Sequence, residues 1–62
     1  MEINVQFADS TESVIITYFS GPQPIGAYAN IGTVLPNDSR WLTFYNLMSV
    51  MTQSYLPSPT AD

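Results

Sequence analysis

The sequence contains no cysteine, no histidine and no lysine, and its one cationic side chain is Arg40. Each absence removes a class of chemistry. Without histidine there is no side chain that ordinarily titrates near neutral pH; without cysteine there is no thiolate nucleophile; without lysine there is no Schiff-base amine. Disulfide staples are impossible, and the Cys and His ligands of a structural zinc site are missing. Catalysis by this chain alone is not expected, and no catalytic, cofactor-binding or metal-binding residue is assigned. Nucleic acid is disfavoured as a partner, because phosphate contacts are made largely by Lys and Arg. An anionic membrane surface is disfavoured on the same ground. No apolar run reaches the roughly 18 residues of a spanning helix, and the N-terminal stretch has neither a basic nor a long apolar segment. The expectation is a soluble protein without a signal peptide.

What is present is apolar. Of the 62 residues 45% are hydrophobic, among them Phe7, Tyr18, Phe19, Tyr28, Trp41, Phe44, Tyr45 and Tyr55, too many for a disordered segment. The net charge of -4 rests on only five carboxylates, Glu2, Asp9, Glu12, Asp38 and Asp62. A chain of this length buries only about 60% of the surface exposed on unfolding, so its stability margin is thin. With disulfides and metals excluded, association with another protein is the remaining means of compensation.

Residues 2–8 alternate between apolar Ile3, Val5 and Phe7 and the set Asn4, Gln6 and Ala8, which predicts a strand with one solvated face. Asp9 to Ser13 are short polar turn formers. Val14 to Phe19 are rich in β-branched and aromatic residues and predict a second strand, with Val14, Ile16 and Tyr18 on one face and Ile15 and Phe19 on the other. Neither strand carries the lysine, proline or inward charge that blunts an exposed sheet edge. Gly21 to Gly32 hold all three glycines and two of the five prolines. This is a long loop for so small a domain: either a binding loop, or a cover over the hairpin held by Ile25, Tyr28 and Ile31. Gly32 to Leu35 allow a brief third strand before Pro36.

Asn37, Asp38 and Ser39 are N-cap residues ahead of an apolar run, so a helix is expected from about 38 to 53. Trp41, Phe44, Met48, Met51 and Tyr55 recur at spacings of three and four and form one seam, while Leu42, Tyr45, Leu47 and Val50 widen the apolar surface beyond what a small sheet covers. Leu56 onward is Pro-rich. The expected architecture is α+β: an antiparallel hairpin, with room for a third short strand, packed against one C-terminal helix. Residues 1–56 form the domain and 57–62 an extended tail.

Asp9 and Glu12 are the one carboxylate pair a turn would converge, but nothing apolar surrounds them to shift a pKa, and a solvated turn is the better reading. The Asn37-Asp38-Ser39 glycosylation motif is better read as a helix cap. Arg40 beside Trp41 has two readings. Arg and Trp are enriched at dominant interface contacts; alternatively Arg40 pairs with Asp38 or a sheet carboxylate while Trp41 anchors the core, and this second reading leads. Candidate partner-binding residues are Arg40, Trp41, Tyr45, Tyr28, Ile25 and Met48, from the helix and the glycine-rich loop.

The segments Tyr18-Phe19-Ser20-Gly21-Pro22-Gln23, Tyr28-Ala29-Asn30, Gly32-Thr33-Val34, Asn37-Asp38-Ser39-Arg40-Trp41 and Phe44-Tyr45 carry a resemblance. Across about residues 14 to 57 the chain resembles short proteins encoded near the tail-fibre genes of tailed bacteriophages, with Ser39 standing where that pattern has Pro. The resemblance implies a virion accessory or tail-fibre-associated part, located in the virion or host cytoplasm. It implies larger virion subunits as partners, with a homo-oligomer also open, and no catalytic residues to carry over. The alternative from a different class is a small acidic inhibitor that blocks a basic surface of a host protein, which requires the carboxylates to share one face.

Overall fold

The structure, a computed structural model, describes residues 1–61; Asp62, the last residue of the expected tail, lies outside the described residues. Three strands, β1 (Ile3–Phe7), β2 (Ile15–Phe19) and β3 (Ile31–Val34), form one antiparallel sheet in the order β2-β1-β3, and two short helices follow, α1 (Ser39–Leu47) and α2 (Val50–Gln53). The α+β architecture agrees with the sequence expectation. The strand with the cleanest alternation is the central one: Ile3, Val5 and Phe7 are all buried, and both neighbours pair with β1. Residues 3–7 are therefore no sheet edge, contrary to expectation; the edges are β2 and β3.

A bulge sets the facing of β2. Gln6 is opposite Thr17 and Phe7 is opposite Ile15, which leaves Ile16 as the extra residue. Ile15 and Tyr18 consequently both face the core, while Ile16 is exposed. Strict alternation fails there because the bulge inserts one residue into the period of two.

The long loop is long for a topological reason. The chain leaves β2 on one edge of the sheet and must reach β3 on the other, so residues 20–30 cross over β1. On the way the outward Gln6 amide donates to the Ala29 carbonyl at 3.1 Å, and the Phe19 and Tyr28 rings stack with centroids 4.9 Å apart. The Ala27 amide donates to the Pro24 carbonyl, with Gly26 at φ +84° in the turn, a conformation that glycine adopts without steric cost. Of the three expected anchors only Tyr28 and Ile31 engage the sheet, through the Phe19 stack and the β3 pairing; Ile25, at the tip of this turn, is fully exposed.

The expected single helix is two helices. Asp38 caps α1, its carboxylate accepting from the Arg40 amide at 2.8 Å. Met48 then adopts an extended backbone, and Ser49 caps α2 by accepting from the Thr52 amide. The Tyr45 carbonyl freed at the break accepts from the Met48 amide and from the Gln53 side chain at 2.8 Å. Geometry explains the interruption. A continuous helix of about 15 residues runs to about 22 Å, past strands of five residues that span about 17 Å. Breaking at Met48 turns the chain back, so that Leu56 packs against the core. The seam breaks with the helix: Trp41 and Phe44 are buried, Met48 is half-buried, and Met51 and Tyr55 are exposed.

The core comprises Ile3, Val5, Phe7, Ile15, Val34, Trp41 and Phe44. Trp41 is its centre, with Tyr18 at 5.8 Å and Phe44 at 5.5 Å between ring centroids. The Trp41 indole N–H donates to the Pro57 carbonyl at 3.1 Å, and the Thr60 amide donates to the Pro36 carbonyl. The tail through Ala61 has no helix or strand, yet these two bonds tie it to the domain. Among the described residues no buried side-chain nitrogen or oxygen lacks a partner.

Gly32 faces the core opposite Val5, and a Cβ there would stand 2.7 Å from Cε2 of the Phe7 ring. Gly32→Ala is expected to destabilise by about 1–3 kcal/mol through overpacking. Combining it with Phe7→Leu should cost less than the sum of the two single changes, as read by urea denaturation; strict additivity would show that the ring does not occupy this space.

Candidate functional site

Arg40 is committed to the fold. Its Nε and Nη2 donate to the two carboxylate oxygens of Asp38 at 3.0 and 2.8 Å, and Nη1 donates to the Glu12 carbonyl at 2.6 Å. The guanidinium carbon lies 5.0 Å from the centroid of the Phe7 ring, within cation–π range. One side chain thus joins the helix cap, the turn between β1 and β2, and a buried ring of the central strand. Glu12 holds a positive φ of +59°, a conformation that costs a non-glycine residue free energy, and the bond to Arg40 helps fix it. The hydrogen bond from Arg40 holds Asp38 below its ordinary carboxylate range, and Asp38 in turn raises Arg40.

Asp9 is engaged within its own turn. The Asp9 carboxylate accepts from the Thr11 amide at 3.0 Å and hydroxyl at 2.5 Å, bonds that lower its pKa and shape the turn. Glu2 lies beyond the opposite end of β1, its carboxylate reached by the Thr33 hydroxyl at 3.5 Å. Five strand residues, about 17 Å, separate it from the turn. Asp38 is neutralised by Arg40. Among the described residues no cluster of three metal-ligating side chains exists.

The six residues singled out from the sequence fall into three groups. Trp41 is fully buried and has no surface to offer, so the core reading replaces the interface reading for it; Arg40 pairs with Asp38, the ion pair that accompanied that reading. Tyr45 and Met48 pack half-buried against the core. Ile25 and Tyr28 are exposed, but they sit on the crossover loop, across the sheet from the buried face of α1. The structure does not assemble these residues into one site.

A groove does form elsewhere. The start of β2 and one side of α1 enclose about 230 Å³, lined by Ser13, Val14, Ile15, Arg40, Phe44 and Leu47, with Ser39 and Thr43 at its polar border. Ile15 and Phe44 are its buried members, whereas Val14 and Leu47 stand 56% and 75% exposed. The groove adjoins β2, whose outer edge has no strand partner. Beyond it α2 and the following turn leave Val50, Met51 and Tyr55 uncovered. Helical spacing places Leu47 among the side chains in excess of the seam, but its convergence with Val14 depends on how the helix packs against the sheet, a relation between elements that has no local sequence signal. Among the described residues no helix is long and apolar enough to cross a membrane.

Arg40→Ala removes the fork to Asp38, the bond to Glu12 and the cover over Phe7. Because the side chain is one-third exposed, the expected loss is about 1–2 kcal/mol, or a melting temperature lower by roughly 5 to 15 °C. Arg40→Lys should recover less than half, since lysine lacks the planar fork; full recovery would reduce the role to charge alone.

The Asp38 pair also sets a pH dependence. The unfolded chain takes up the proton near the ordinary value of 3.8, whereas the folded chain holds it off to lower pH. The stabilisation is therefore complete above that value and is lost as pH falls through and below it. Asp38→Asn should flatten this limb of a stability–pH curve; an unchanged limb would place the dependence on other carboxylates.

No family model, curated protein or solved structure matches the chain.

Proposed function

We propose that this chain is a non-enzymatic structural or interaction protein that works by docking on other protein subunits, as a small tail or tail-fibre-associated component of a bacteriophage virion. The observation that carries the docking reading is the surplus of exposed apolar side chains around a completed core. Val14 and Leu47 rim the groove, and Val50, Met51 and Tyr55 lie uncovered on α2 and beyond it. Clusters of large apolar side chains on a small soluble protein mark interaction surfaces. The virion assignment rests on the sequence resemblance across residues 14–57. The chemistry of the chain supports a non-catalytic role, since its few ionisable groups are engaged in turns and caps or stand apart.

The acidic-inhibitor reading gains no support from the arrangement of charge. Asp9 and Glu12 flank one end of the hairpin, Glu2 lies beyond the other end of β1, and Asp38 is paired. A surface dominated by apolar contact is expected to bind with little dependence on salt.

Particles purified by density gradient should contain this chain at a fixed ratio to the tail subunits by quantitative mass spectrometry, and the ratio should persist through a wash in high salt. Absence from particles, or release by salt, would count against the reading.

A further inference from the structure

We propose that the groove and the adjoining β2 edge are the contact through which two copies of this chain pair about a two-fold axis. This rests on reading the groove as a docking surface, and it names the occupant.

The first argument is the edge. β2 is an outer strand whose residues Ile15–Phe19 include no lysine, proline or charge, so none of the side-chain devices that discourage strand addition is present. The other edge is less suited: β3 has four residues, includes Gly32, and is followed by Pro36 two residues beyond its end. The second argument is self-complementarity. A two-fold contact uses the same patch on both copies, so that patch must carry both a projection and a hollow. Leu47 and Val14 project, and about 230 Å³ lies between them, over the buried Ile15 and Phe44. An apolar cavity of roughly 150 Å³ takes a benzene-sized group, so the Leu47 side chain of a second copy fits.

The third argument is charge. Each copy carries -4, which opposes self-association in general. Arg40, the one charged residue lining the groove, is neutralised by Asp38, so two copies meeting here bring no unpaired carboxylate from its lining face to face. No acidic side chain lines the groove, so it offers no charge to a basic partner.

Area sets the extent. A stable interface buries about 800 Å² per partner, roughly a fifth of the 4207 Å² this chain exposes. The bulge at Ile16 interrupts regular pairing along β2, so the edge alone is too small and the groove must contribute.

Sedimentation equilibrium of the full chain over a concentration series tests this, alongside circular dichroism. The wild type should sediment as a dimer, at twice the 6.9 kDa chain mass. Ile16→Lys places a charge on the edge of each copy and should raise the dimer dissociation constant at least about tenfold while the fold is kept. Leu47→Asp, on α1, is the second variant and covers the case in which Ile16→Lys fails to fold. Leu35→Lys, at an exposed position just past β3 on the opposite edge of the sheet, should leave the dimer intact. A wild type that stays monomeric, or a dimer weakened by Leu35→Lys and not by the folded edge and groove variants, would overturn the proposal. The two readings fail separately: a monomer found in particles removes the dimer alone, and a dimer missing from particles removes the virion role alone.

Discussion

The fold depends on one guanidinium. Arg40 is the only lysine or arginine in the chain, and it joins the Asp38 cap of its own helix to the Glu12 carbonyl, 28 residues away in sequence, and to the Phe7 ring. Among the described residues no other side chain is seen to contact the turn, the helix start and the central strand together. The pair of Arg40 with Asp38 is partly exposed, so its Coulomb attraction contributes little; the fork geometry and the bond to the left-handed Glu12 matter more. The scarcity of bases therefore concentrates the positional information of the fold in one residue.

The sheet and the helix start were legible because they follow from local rules. The alternation of Ile3, Val5 and Phe7 marks the strand and its buried face, and the Asp38 cap marks the start of α1 within one residue. The failures share a cause: they depend on relations between elements. Nothing local in Val14 to Phe19 reveals a bulge, since the extra residue is defined only against β1. The break at Met48 is encoded by Ser49, but a serine within an apolar helical pattern reads equally well as a solvated position until the length of the sheet is known. The crossover loop was long because β3 lies on the far side of β1, a matter of strand order that spacing does not reveal.

The candidate site follows the same division. The surplus of apolar helix residues over what a small sheet covers was countable in advance. Which residues remain uncovered was not, because the helix break redistributes them: Tyr45 and Met48 turn toward the core, and Val50 and Met51 turn away from it. Trp41 illustrates the balance of magnitudes. Burying a large aromatic stabilises a domain this small by more than an exposed contact does, and its indole N–H still finds the Pro57 carbonyl. What remains at the surface is the apolar rim left once the largest side chains have been used inside.

The central claim is that Arg40 acts across the fold, on a turn 28 residues away, rather than only within its own helix. Amide hydrogen exchange in the wild type and in Arg40→Ala tests this directly. The account predicts faster exchange at Glu12 and Ala8, whose amides close the turn and the head of the hairpin, with little change along the ladder between β1 and β3. Acceleration confined to the first turn of α1, with Glu12 and Ala8 unaffected, would contradict it.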